Sequence, residues 1–112
     1  MSVATDTFPR FVDILASTLD DHEATGEALA SQVHLSRHHF DRVVAGVAGE
    51  SPVAFRRRIL LERAAYRLLV SDDTIIGVAL EAGYSSHEAF TRAFSRAYGR
   101  TPSEWRRRLA RF

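Results

Sequence analysis

The chain has 112 residues, 46% apolar and 26% charged, with a formal net charge of +1, enough for one soluble domain with a hydrophobic core and too little for two independent cores. It contains no cysteine, which excludes disulfides, thiolate metal sites and cysteine nucleophiles. Its apolar runs are too short to span a membrane, and Met1 to Arg10 lacks the basic-then-apolar order of a secretory signal. Phe8-Pro9 opens the first segment, whose apolar residues Phe8, Phe11, Val12, Leu15 and Leu19 share one helical face. Asp20, Asp21 and His22 end it, because acids are disfavoured at a helix C-terminus. Thr25-Gly26 begins a short second helix with Leu29, Ala30 and Val33 facing inward. Ser36 is the N-cap of a third, which carries Phe40, Val43, Val44 and Val47 and closes at Gly49.

Ser51-Pro52 then opens a long helix, 52–70, with proline at the first position, where its missing N–H costs nothing. Asp72, Asp73 and Thr74 offer the next cap, ahead of Ile75, Ile76, Ala79 and Ala82, with Gly83 as the stop. Ser85 and Glu88 read as a capping box for a helix burying Phe90, Ala93, Phe94 and Ala97 and ending at Gly99. Thr101-Pro102-Ser103-Glu104 is a second capping box and starts a last helix through Trp105 and Leu109. Strand-like alternation is absent. The expected fold is all-α, with about seven helices.

The chain also resembles itself at an offset of fifty. Phe40 meets Phe90, Arg42 meets Arg92, Gly49 meets Gly99, Pro52 meets Pro102, and Arg56 to Arg58 meet Arg106 to Arg108, seven identities across residues 40–58. Upstream, Ala30 aligns with Ala79 and Ser36 with Ser85 after a one-residue slip. One supersecondary unit is therefore used twice, and its layout of short helix, tight turn and longer one-sided helix is that of a helix-turn-helix. The expected organisation is a single domain of three parts: a first module with its N-terminal helix (7–50), a linker helix (52–70) and a second module with its C-terminal helix (73–112). A nineteen-residue linker helix spans ~28 Å, a loose match to the ~34 Å between successive major-groove readers on one face of B-DNA.

Charge is polarised along the chain. Residues 1–50 carry a net −5 and residues 51–112 a net +6, and all fifteen basic residues are arginine, the side chain suited to phosphates and guanine edges. The faces opposite the buried stripes agree with that chemistry. Arg37, His38, Asp41 and Arg42 lie on the outer side of the third helix, and His87, Glu88, Thr91 and Arg92 on that of the sixth. Both are sets of hydrogen-bonding side chains near a helix N-terminus, where base edges are read. Arg56, Arg63 and Arg67 form one stripe on the linker helix and are candidates for phosphate contact. In each triple-arginine run the three side chains point three ways, so one of each is expected at phosphate.

The string Ala79-Leu80-Glu81-Ala82-Gly83-Tyr84-Ser85, followed by Phe90, Arg92, Phe94, Gly99, Thr101-Pro102 and Trp105-Arg106, resembles the DNA-binding domain of the AraC/XylS family of bacterial transcription regulators. Arg58-Ile59-Leu60-Leu61-Glu62-Arg63-Ala64, ending in Leu68-Leu69, is similar to that family's linker helix. The resemblance runs from about Phe8 to Arg108. It implies two helix-turn-helix modules, each placing a helix in the major groove of double-stranded DNA, with Arg42 and Arg92 the leading contacts. It also implies a small stand-alone regulator acting as a monomer on DNA, or else the excised C-terminal domain of a longer one, with RNA polymerase a candidate partner and no cofactor; the lack of a signal or membrane span makes the cytoplasm the expected address. Tyr84 replaces the family's usual phenylalanine, and Ser95 its usual basic residue after Phe94, which leaves Arg96 as the neighbouring phosphate candidate.

Other chemistries find less support. His34 and His38 are separated by the Ser36 cap, and without cysteines or carboxylates at ligand spacing no metal site is expected. Nothing resembles a nucleophile elbow, a glycine-rich phosphate loop or a paired-carboxylate cleft, so no enzyme is expected. The rival reading is a helical protein-interaction module, for polymerase or another regulator, with weak or no DNA reading. Salt dependence separates the two, because a protein contacting several phosphates loses affinity steeply as salt rises.

Overall fold

The structure, a computed structural model, describes residues 3–109, and the side chains of residues 6–108; Met1 and the expected end of the second module at Phe112 lie outside them. Among the described residues there are seven helices and no strand: α1 (Val3–Ser17), α2 (Gly26–Gln32), α3 (Arg37–Ala48), α4 (Pro52–Val70), α5 (Ile75–Glu81), α6 (His87–Tyr98) and α7 (Pro102–Leu109). The chain forms two compact units, one running up to Arg58 and the other beginning at Ile59, so that the boundary falls inside α4.

All six helices after α1 start where a short oxygen-bearing side chain accepts from an orphan backbone N–H. Thr25 accepts from Ala28, Ser36 from His39, Ser51 from Ala54 and Thr74 from Gly77. Thr101 and Glu104 form the reciprocal pair: the Thr101 hydroxyl accepts from Glu104 N–H at 3.2 Å, and Glu104 Oε1 accepts from Thr101 N–H at 3.1 Å. The Thr101 N–H donated to it, followed by the adjacent Thr101 hydroxyl, holds the Glu104 carboxyl below its ordinary pKa. Its stabilising contribution is therefore complete above the ordinary glutamate range and is lost as pH falls through the lowered value. Glu104→Gln should flatten that part of the acid-unfolding curve, followed by helical circular dichroism from about pH 6 to about pH 2; a curve of unchanged steepness would show that the pair contributes nothing.

Three local expectations change. α1 begins upstream of Phe8 and runs through Pro9, giving up one i→i−4 bond because proline has no N–H. The cap of α6 is Ser86, accepting from Ala89 N–H at 3.1 Å, and Ser85 is a turn residue. Val47 and Val12 are exposed, at 50% and 38%, as is Ala97. Val47 and Ala97 sit in the last turns of their helices, beyond the buried pairs Phe40/Val44 and Phe90/Phe94.

In the first unit the core is built on Phe11, Leu29, Phe40 and Val44, all within 1% of complete burial. Phe11 meets Phe40 edge-on at 5.3 Å between centroids, and Phe55 from the start of α4 closes over Phe11 at 5.7 Å. The second unit repeats the arrangement with Leu68, Val78, Ala79, Phe90 and Phe94 buried. Trp105, fifty residues after Phe55, meets Phe94 edge-on at 5.7 Å. Its indole N–H donates to the Ala65 carbonyl at 3.0 Å, which satisfies the one polar atom the larger ring brings with it.

The two helix-turn-helix corners show where the internal repeat slips. Leu35 N–H bonds Ala30 O, and Tyr84 N–H bonds Ala79 O, both at 3.0 Å. The residue just before each sits in left-handed backbone: His34 at φ 60° and Gly83 at φ 90°. Up to this point the offset is forty-nine; Ser85 is the added residue that restores fifty at the caps Ser36 and Ser86. Gly83 adopts this conformation freely, whereas His34 carries a Cβ there at a cost. His34→Gly is therefore expected to stabilise the chain by ~0.5–1 kcal/mol, despite the greater freedom it gives the unfolded state. A denaturation midpoint that stays the same or falls would show that the histidine side chain offsets its backbone strain.

Candidate nucleic-acid interface

Ser36 and Ser86 fix the starts of α3 and α6, and the buried stripes Phe40/Val44 and Phe90/Phe94 fix their rotation. The positions opposite those stripes face solvent. On α3, His38 and Arg42 are exposed and, among the described residues, make no side-chain hydrogen bond or ion pair. Arg37 and Asp41, also expected on this face, are engaged with each other. Arg37 Nε donates to both Asp41 carboxylate oxygens, at 3.0 and 3.2 Å, and Arg37 Nη1 lies 2.9 Å from Glu27 Oε1. An arginine and an acid four residues apart on one helix pair readily, and that spacing is visible in the sequence.

On α6, His87, Glu88, Arg92 and Arg96 are exposed. Arg92 occupies the place on α6 that Arg42 occupies on α3, the sixth residue of a twelve-residue helix. Thr91 differs from its expected presentation. It is half-buried, and its hydroxyl oxygen is shut away from solvent without a hydrogen-bond partner, so the hydroxyl is not offered to a ligand. Glu88 lies in the first turn of α6, whereas the first turn of α3 has no acid.

The arginine stripe of α4 serves the fold instead of standing ready for phosphate. Arg56 Nη2 donates to the carbonyls of Leu19 at 3.1 Å and Asp21 at 2.8 Å, closing the chain beyond α1. Arg63 Nη2 donates to Glu81 O at 2.9 Å, and Arg67 is ion-paired with the Glu81 carboxylate. Arg106 repeats the device of Arg56, with Nε to Leu68 O at 2.8 Å and Nη2 to Ser71 O at 3.3 Å at the end of α4. Within the triple-arginine runs, Arg58 pairs with Glu50 at 2.8 Å and lies 5.1 Å from the Phe55 ring centre. Arg57, Arg107 and Arg108 are exposed. The repeat at Arg56 and Arg106 thus records a shared capping role, which the sequence shows only as an identity.

Among the described residues, no group of three or more His, Cys, Asp or Glu is placed to hold a metal ion. No helix of the described chain is long and apolar enough to cross a membrane.

Comparison with known proteins agrees with this arrangement. A helix-turn-helix domain model matches residues 29–108. The RCS-specific HTH-type transcriptional activator RclR of Escherichia coli is 33% identical over 103 residues, covering 90% of this chain and 36% of RclR. The chain spans between 28% and 36% of the length of the curated relatives it matches at 33% identity. Among solved structures, an AraC-type regulator from Chromobacterium violaceum superposes with a TM-score of 0.85 at 21% identity, covering 92% of this chain and 91% of that one. The DNA-binding domain of the global transcriptional factor AdpA, solved with a target DNA, superposes with a TM-score of 0.77 at 28% identity, covering 88% and 90%. With seven helices among its described residues, two units of repeated architecture and a family model over most of its length, the chain belongs to the AraC-type helix-turn-helix family.

Proposed function

We propose that the chain is a sequence-specific duplex-DNA-binding regulator of transcription, with α3 and α6 entering successive major-groove segments. The observation that carries this reading is the recurrence of an exposed arginine, Arg42 and Arg92, at one place on the outer face of two equivalent helices. Forked guanidinium groups suit guanine edges and phosphates. The first module would read through His38 and Arg42, and the second through His87, Glu88 and Arg92. Glu88 would accept from cytosine N4 and disfavour other bases. Arg96 and the exposed Arg57, Arg107 and Arg108 would supply phosphate contacts, which position the protein without specifying sequence. One chain carries both modules, so it would bind as a monomer and need no palindromic site. It would act in the cytoplasm, where transcription is then altered by contact with RNA polymerase or by its exclusion.

The test is selection of duplexes from a random library by the purified chain, sequenced at two salt concentrations. Two unlike short elements about one helical turn, ~10 bp, apart are expected. Affinity should fall steeply with rising salt. A single element would restrict reading to one module. No enrichment at either salt would overturn the reading and favour a protein-interaction module.

A further inference from the structure

The Arg37 guanidinium lies over the first residue of α2. A Cβ built on Gly26 would fall 2.2 Å from Arg37 Cζ, 2.3 Å from Nη1 and 2.6 Å from Nε. Gly26 is not among the glycines with positive φ, so what position 26 supplies is space. The guanidinium uses that space to reach Glu27 on one side and both oxygens of Asp41 on the other. The second module builds the same pair of helices without any of these groups. Ile75 and Ile76 open α5 where Gly26 and Glu27 open α2, and His87 and Thr91 replace Arg37 and Asp41. The cluster is therefore not required by the architecture. What distinguishes the first module is that the acid on the outer face of its second helix, Asp41, is held by an arginine, whereas the second module's Glu88 is exposed.

Resting on the DNA-binding reading above, we propose that Arg37 is a positioning residue: it masks Asp41 and Glu27 and clamps α3 to α2, and does not itself touch DNA. A carboxylate turned toward a phosphate backbone repels it, and the repulsion is strongest where water is excluded. Arg37 neutralises Asp41 through a charge-assisted Nε–H shared between both carboxylate oxygens. The Asp41 hydrogen bond in turn raises the guanidinium pKa further, so the mask stays charged across all physiological pH. Of the four polar residues expected on this face, His38 and Arg42 remain to read DNA.

The experiment uses the duplex selected by the wild-type chain, titrated at one fixed salt concentration with R37Q, D41N, R37Q/D41N and G26A. R37Q should bind about tenfold more weakly, and adding D41N should bring affinity back to within about threefold of wild type. G26A keeps every charge but displaces the guanidinium, and should weaken binding as R37Q does. If Arg37 instead contacts DNA, R37Q will cost the same with and without D41N, and G26A will leave affinity unchanged; either result overturns the mask. A DNA-independent measurement accompanies these: the Arg37 Nε–H resonance of the free chain should be protected from exchange in wild type and lose protection in D41N and G26A. An unprotected wild-type signal overturns the clamp whatever DNA does. If the clamp is seen but wild type selects no duplex, the DNA-binding reading has failed, and the masking role falls with it.

Discussion

Phe90→Ala is expected to destabilise the second unit by ~3–5 kcal/mol, the usual cost of emptying a buried phenylalanine site. Phe90 is completely buried. Its ring lies 5.6 Å from both Tyr84 and Phe94, and Phe94 in turn meets Tyr98 and Trp105. Those neighbours come from the helix-turn-helix corner, α6 and α7, so a cavity there removes contacts from several elements at once. Partial collapse would be resisted by the Trp105 indole, which is tied to the Ala65 carbonyl. The measurement is chemical denaturation followed by tryptophan fluorescence, since Trp105 is the chain's one tryptophan and reports on this unit. An unchanged midpoint would refute the core placement.

The second large effect is expected on binding. Arg92→Ala should cost ~1–3 kcal/mol on a selected duplex if the guanidinium grips a base edge, with a much smaller loss on random duplex. Equal losses on both, with the salt slope reduced by ~1, would instead make Arg92 a phosphate contact. Arg92 is exposed and forms no ion pair among the described residues, so its removal should leave the denaturation midpoint nearly unchanged. Phe90→Ala and Arg92→Ala, two residues apart on α6, therefore separate stability from recognition on a single helix.

Much of the architecture is legible in the sequence because its determinants are local. The caps Thr25, Ser36, Ser51 and Thr74, the left-handed stops Gly49 and Gly99, and the Thr101–Glu104 box each act within four residues. The apolar spacing of Phe40/Val44 and Phe90/Phe94 sets which face of each helix turns inward, and hence which outer residues are candidates for recognition. The α6 cap is the exception, because Ser85 and Ser86 both suit that role locally. The choice between them depends on the corner closed by Tyr84 N–H on Ala79 O and on the extended backbone of Ser86.

The helices, their order, the doubled module and the outward position of Arg42 and Arg92 all follow from residue pattern alone. Which arginines the fold uses for itself emerges once the helices are packed. Arg56 and Arg106 donate to carbonyls thirty-five or more residues away in sequence, and Arg63 and Arg67 meet Glu81 across a turn. Arg37 reaches both along α3 to Asp41 and across to Glu27. The difference lies in the reach of the side chain. A guanidinium on a flexible stem finds whichever acceptor the packed backbone brings near, and helical periodicity specifies direction but not distance. The same residue type thus serves as cap, clamp or exposed cation, according to the acceptors that packing brings within reach.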